Sequence, residues 1–319
     1  MSRDYKKVFR YNTINHNAKG GTELTIDGLL DNVDNDLFKD VDILVSSIPN
    51  GFSKGDKTVI LWIHDLPIDF QSINKYKDDI DIYVFVSNWQ KELFIRTFGL
   101  DWDKCKVIKN PIHPIDVDLN KKWESTEKIK IVYSSTTHRG LNILQSVFNE
   151  IHKVFKNTEL HVFSNFDLYD QPFRNRPFEN LFKVLKEQDG VVYRGAVKHD
   201  ELINELKDAH IWVLPSIHEE TYCIALAEAM SAGCICVHSN LGALPETSRG
   251  VTISYDFFDD LNKHANMFYK KLGSVIETIN SDINQIKNLS SINKILIDTF
   301  GNWEIGKRQW IDILNEIKA

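Results

Sequence analysis

Short, wholly apolar runs recur along the chain. They alternate with longer stretches in which apolar residues return every three or four positions. The first pattern suits strands buried on both faces of a parallel sheet, and the second suits amphipathic helices. The runs predict strands at 41–46, 58–63, 82–86, 106–108, 129–134, 159–163, 191–194, 211–214, 235–238 and 250–253. The helical spacing predicts helices at 22–30, 90–98, 141–155, 199–207 and 224–232, the second of them behind Ser87-Asn88 as an N-cap. The final stretch, NWEIGKRQWIDILNEIKA, reads as an amphipathic helix carrying Trp303, Trp310, Ile311, Leu314 and Ile317. Strands alternating with helices argue for an α/β chain with parallel sheets covered on both faces.

The alternation breaks near 110–125, where NPIHPIDVDLNKKWES combines prolines with polar residues and no period, and a fresh strand–helix series starts at Ile129. A boundary at 117/118 is expected, dividing 1–117 from 118–300. A chain of 319 residues is long enough for two cores. At 42% hydrophobic and 26% charged residues it is neither disordered nor collagen-like. No apolar run approaches the ~18 residues of a spanning helix. The N-terminal MSRDYKKVFRYNTINHN lacks the apolar core of a secretory signal, so a cytoplasmic protein is expected. A net charge of -7 makes general nucleic-acid binding a poor expectation. Cys105, Cys223, Cys234 and Cys236 form no C-x-x-C pair and read as reduced thiols.

Candidate chemistry gathers at four places. Lys19-Gly20-Gly21-Thr22-Glu23 precedes a helix, where paired glycines and free amides favour an anion; a plain strand–helix turn fits the same residues. A Walker A loop and a G-x-G-x-x-G fingerprint are both absent. His64-Asp65 ends an apolar strand, at the edge where open α/β sheets bind ligands, although a strand-end histidine can simply bond backbone. Ser134-Ser135-Thr136-Thr137-His138-Arg139-Gly140 ends another strand, and its guanidinium suits either a phosphate or a turn cap. In Pro215–Met230 a helix is expected to begin near 221–224, with its first amides unpaired. Glu220 and Glu228, just over two helical turns apart, can face one side from different depths. Alone, they also fit a dipole-facing acid and a buried helix glutamate. The 166–178 loop adds aromatics and two arginines that could contact bases or sugars, or merely form a loop.

The ordered set resembles the family 4 retaining glycosyltransferases of the GT-B fold. PSIHEETYCIALAEAMSAGCICVHS is similar to their E-x7-E signature. KGGTE is similar to their glycine-rich loop, and FVSNWQKELFIRTFG with VIKNPIHP to the close of their first domain. SSTTHRGLNIL and VVYRGAVKHDELINELKDAHIWVLPS follow in the family's order, and WEIGKRQWIDIL resembles the terminal helix that crosses back onto the first domain. The sequence departs where the family usually reads E-G-F-G-L, here Glu220-Thr221-Tyr222-Cys223-Ile224, and it lacks the arginine of the common G-R-x…K-G pattern.

The resemblance implies two Rossmann-like domains facing across a cleft. The N-terminal one is short and is completed by 301–319; 118–300 binds the nucleotide sugar. It implies transfer of a sugar from a nucleotide diphosphate sugar with retained configuration, with no cofactor beyond that co-substrate and no metal. Glu220 and His64 would act at the sugar, and Glu228 would bond the ribose. Gly195, Ala196 and Val197 would frame the base. Gly20, Gly21, Arg139 and the amides of Thr221, Tyr222, Cys223 and Ile224 would hold the diphosphate. A metal-dependent GT-A rival would need a D-x-D site; such pairs occur at 34–36, 40–42, 79–81, 101–103 and 116–118, several of them before strands. The other readings are a sugar-nucleotide epimerase or hydrolase, and a non-catalytic nucleotide-sugar-binding subunit. The acidic segment 24–38 argues for a soluble or polymeric acceptor over a lipid. A nucleic-acid acceptor has no support from charge. The nucleotide, the sugar, the acceptor and the oligomeric state stay open.

Overall fold

A computed structural model describes residues 8–9 and 20–318. Lys19 and most of the basic N-terminal stretch lie outside the described residues. The chain divides into two compact units, Met1–Pro111 with Gly301–Ala319, and Ile112–Phe300.

The first unit is built on four parallel strands in sequential order: β1 (Val41–Val45), β2 (Thr58–Ile63), β3 (Ile82–Phe85) and β4 (Cys105–Val107). Strand periodicity splits β2 between two cores. Ile60 and Trp62 pack with α1 (Gly21–Asn32) and the terminal helix Trp303–Lys318. Val59, Leu61 and Ile63 pack with α2 (Phe70–Tyr76) and α3 (Asn88–Phe98). The terminal helix lies so close to α1 that a Cβ on Gly28 would sit 2.0 Å from the Trp303 ring. Ser87 caps α3 through its side chain, as the sequence predicts.

The second unit has six parallel strands in the order β10-β9-β8-β5-β6-β7. They are β5 (Ile129–Tyr133), β6 (Thr158–Val162), β7 (Val191–Tyr193), β8 (Ile211–Leu214), β9 (Ile235–Ser239) and β10 (Ile253–Tyr255). The connections run outward from β5 in one direction and from β8 in the other. The β5–β8 junction is therefore the topological switch point, where loops at the carboxyl ends of the strands splay apart and open α/β sheets bind ligands. Helices α4 (Leu141–Val154), α5 (Glu179–Glu187), α6 (His199–Asp208) and α7 (Ile224–Ser231) connect these strands. The long helices α8 (Leu261–Ser281) and α9 (Ile283–Phe300) follow β10.

The units divide at Pro111/Ile112, a little before the expected 117/118, because the intervening residues are bonded into the second unit. The Ile115 amide donates to Ser231 Oγ at 2.8 Å, and its carbonyl accepts from Lys294 Nζ. Lys122 is buried in the same region. Its Nζ donates to the carbonyls of Leu206 and Ala232 at 2.9 and 2.7 Å, at the negative ends of α6 and α7. Burial lowers its pKa. The last strand begins at Ile253 and not at 250. Gly250 is left-handed at φ +72°, and the Val251 amide is spent on Ser248 in the preceding turn. Several D-x-D aspartates are engaged in local turns, since Asp34, Asp101 and Asp118 each accept the amide two residues ahead. The four cysteines are free thiols. Among the described residues no helix is long and apolar enough to cross a membrane.

Candidate functional site

At the switch point, the loops after β5 and β8 are in direct contact. Gly140, the N-cap of α4, has φ +97°, and a Cβ there would lie 2.0 Å from the Pro215 carbonyl oxygen. Only glycine combines that dihedral with that approach. Arg139 precedes it, and its Nη1 donates to Glu220 Oε2 at 2.6 Å. The Glu220 backbone is pinned from the other side. It bridges to Gly242, and its carbonyl accepts the Ala243 amide at 2.7 Å. A Cβ on Gly242 would come within 2.5 Å of that carbonyl oxygen. Glu220 is 2% exposed, and its Oε1 has no hydrogen-bond partner among the described residues. Burial pushes the Glu220 carboxyl up, and the Arg139 guanidinium pulls against that; the net direction is upward.

More basic groups surround the pair. The His138 ring stacks on Phe166 at 5.7 Å and meets the edge of His218 at 5.1 Å. The Arg174 guanidinium lies 4.3 Å from the Phe166 ring centre. Burial, helped by repulsion from Arg139, lowers the His138 pKa to about 4, so this imidazole is neutral near pH 7. Burial and Arg139 lower His218 as well. The 166–178 loop folds as two 3-10 turns, Asp167–Tyr169 and Pro172–Phe178. Its buried Phe166 forms a floor for His138 and Arg174. Helices α4 and α7 both begin without a side-chain cap. A guanidinium, two uncapped helix starts and a buried carboxylate side by side can hold an anion next to a hydroxyl-rich group.

The approach to α7 carries the departure from the E-G-F-G-L pattern. Cys223 takes φ +82° although it is not glycine, and α7 starts only at Ile224. Thr221 and Cys223 are half-buried, while Tyr222 is buried with its carbonyl bonded to Thr247 Oγ1. Glu228 lies in α7, and its Oε1 meets His199 Nε2 at 2.6 Å. His199 is the first residue of α6, four positions beyond Gly195. Gly195 is buried at φ +70° beside Asn165, and Val197 is half-buried. The structure thus gathers Arg139, Glu220 and 221–224 around the switch point. Glu228 is tied instead to the segment after β7.

Gly20, Gly21 and His64 belong to the first unit. Gly20 is the N-cap of α1 in extended conformation, without a side-chain cap, and the Gly21 carbonyl accepts from Thr25 Oγ1 at 2.8 Å. His64 follows β2 directly, with its ring 4.5 Å from that of Trp62. Burial lowers its pKa to about 3.

Residues 128–268 match the family model described as Glycosyl transferases group 1. The matched residues all lie within the second unit. A phosphatidylinositol N-acetylglucosaminyltransferase subunit from Arabidopsis thaliana is 30% identical over 170 residues, 53% of this chain and 36% of its own length. An uncharacterized glycosyltransferase from Methanocaldococcus jannaschii is 31% identical over 176 residues, 51% of this chain and 43% of its own. The chain therefore spans less than half the length of either curated relative. A glycosyltransferase structure from Rickettsia africae superposes with a TM-score of 0.68 at 16% identity, covering 96% of this chain and 84% of that one. A sucrose-phosphate synthase from Thermosynechococcus elongatus gives 0.64 at 16% identity, covering 83% and 69%. An Anabaena protein bound to UDP and glucose gives 0.62 at 13% identity, covering 82% and 72%. At these identities the likeness is one of fold, and the fold class is GT-B: two parallel-sheet α/β units, here of four and six strands.

Other side chains stand beside these residues, and most of them were given no role from the sequence. His138 stands beside Arg139 in the chain, and adjacency to the one basic phosphate candidate was its signal. His218 reaches the same place from another loop, as does Arg174, one of the two arginines that the sequence offered in the 166–178 loop. His199 had no linear signal, since its partner Glu228 is 29 positions away.

Proposed function

We propose that the chain is a retaining family 4 glycosyltransferase of the E-x7-E type, moving a sugar from a nucleotide diphosphate sugar to a soluble or polymeric acceptor. The observation that carries this reading is the Arg139–Glu220 pair at the β5–β8 switch point, flanked by two uncapped helix starts. The diphosphate takes the guanidinium and the amides of 221–224, which stabilise the charge that grows on the leaving group. Glu220 contacts the sugar hydroxyls and aligns the ring, with Oε1 as the acceptor for one of them. Glu228 bonds the ribose, and the 195–197 backbone frames the base. His64, neutral near pH 7, and the Gly20-Gly21 turn keep the sugar and phosphate roles that the resemblance implies for them. The leaving phosphate itself takes the acceptor proton. Because Arg139 and the helix starts meet the diphosphate charge, transfer persists in EDTA.

The acceptor reading rests on α1 and the turn after it, where Asp27, Asp31, Asp34 and Asp36 make a poor match to an anionic bilayer. The relative named for phosphatidylinositol favours a lipid acceptor as the second reading. Transfer to phosphatidylinositol vesicles would select it, and transfer only to soluble glycans would select the first.

The first test is a thermal-shift panel of UDP-, GDP-, ADP- and dTDP-sugars with Glu228→Ala as control. Binding at a hundredfold excess over Kd stabilises by about 2.7 kcal/mol. One nucleotide should raise the midpoint in the wild type and not in the variant. No shift with any donor would overturn the transferase reading.

A further inference from the structure

We infer that His199 is a positioning residue for ribose recognition. The inference deepens the proposed function and rests on its assignment of Glu228 to the ribose. Glu228 is 7% exposed and sits in the body of α7, while His199 opens α6. Their side chains meet at 2.6 Å, the length of a charge-assisted hydrogen bond. The contact fixes one carboxylate oxygen. Oε1 accepts from Nε2–H, and Oε2 is left to take a hydroxyl. A carboxylate held by one oxygen loses the rotation that a flexible glutamate would have to give up on binding.

The location explains why a histidine does this. Gly195, Ala196 and Val197 lead straight into His199. Gly195 is fixed at φ +70° against Asn165, whose Nδ2 in turn donates to Asp167. The segment proposed to frame the base and the carboxylate proposed to read the ribose are thereby joined by a single side-chain bond. His199 couples the two halves of a nucleoside without touching either. Asp200 and Glu201 in the first turn of α6 favour the positive end of that helix, where a protonated His199 on its own would be disfavoured.

The experiment compares binding of UDP, GDP and ADP with that of their 2′-deoxy counterparts by calorimetry, in wild type, His199→Ala, His199→Gln and Glu228→Ala. Wild type should bind one ribonucleotide in preference to its 2′-deoxy form. His199→Ala should weaken the ribonucleotide about tenfold and leave the 2′-deoxy nucleotide nearly unchanged, collapsing the preference. His199→Gln keeps an N–H donor and should restore most of it. Equal losses for both sugars, together with a lower melting midpoint, would mean that His199 only braces α6 and would overturn the inference. Tighter ribonucleotide binding by His199→Ala would overturn it too, since the histidine would then compete for Glu228. A different failure marks the underlying reading: if wild type binds no nucleotide, or Glu228→Ala keeps the full ribose preference, the ribose assignment itself falls.

Discussion

The loop holding Glu220 and the helix face holding Glu228 lie in one segment of 16 residues from Pro215 to Met230. Each buries a carboxylate against one basic side chain at 2.6 Å. Their physics differs. Glu220 faces arginine, whose charge is permanent and whose fork suits oxyanions. Its backbone is clamped by Gly242 and Ala243, and its second oxygen has no hydrogen bond among the described residues. Glu228 faces histidine, a side chain whose charge can change with pH, and its backbone is placed by the helix while its carboxylate is held by that contact. The first arrangement keeps a charged, rigid anchor whose guanidinium an incoming phosphate can share. The second keeps an adjustable contact suited to neutral hydroxyls. On the proposed reading, two carboxylates of similar burial both meet hydroxyls, and only the Glu220 pair also offers a guanidinium to phosphate.

Removing the charge of Glu220 should break the comparison most strongly. Glu220→Gln is expected to lower turnover by roughly 10²–10³ while nucleotide affinity stays within a few-fold; steady-state rates with the donor found in the thermal panel decide this. Alanine is the poorer probe, because it also strands Arg139 beside a cavity. Gly242→Ala attacks the clamp. With φ +66° and a carbonyl 2.5 Å from the new Cβ, it should cost about 3 kcal/mol in a denaturant melt. Near-wild-type stability would mean that the Glu220 loop does not depend on this clamp. Arg139→Ala should weaken a nucleoside diphosphate by about 2 kcal/mol and the bare nucleoside far less. Equal losses would sever Arg139 from the phosphate.

Most of the scaffold was legible because it rests on local pattern. Strand β2 and strand β8 have the bounds their apolar runs predict, and α4 begins at the predicted Leu141. The long helices α8 and α9 escaped the reading. Their Asn-rich, Gly273-containing sequence has weak helix propensity, and buried residues such as Phe268, Leu272 and Ile276 hold α8 in place. The site was legible where a strand end and a turn fall together, as at Arg139 and Glu220. It was opaque where geometry and residue type part company. Cys223 adopts a left-handed dihedral, φ +82°, that sequence reasoning reserves for glycine, so residue type gave no sign of it. Side-chain pairs across elements, such as His199–Glu228, leave no trace in a single sequence.

The smallest expected effect sharpens the same contrast through pH. The hydrogen bond to Glu228 raises the His199 pKa, burial opposes it, and Asp200 adds a lesser attraction. A base whose folded-state pKa is raised binds its proton more tightly when folded. Its contribution is fully present below the ordinary value of 6.5 and is lost as pH rises through the raised value. The neutral ring can still donate through Nε2–H, and the histidine side chain is 34% exposed, so solvent screening leaves only a modest difference. Wild type should therefore melt about 2 °C above His199→Gln near pH 6, and the gap should close toward pH 9. No parallel change is expected from the Arg139 guanidinium, which keeps its charge throughout. A gap that is flat or widens with rising pH would show that His199 and Glu228 share no proton-linked contact, and the two carboxylates would then be held alike.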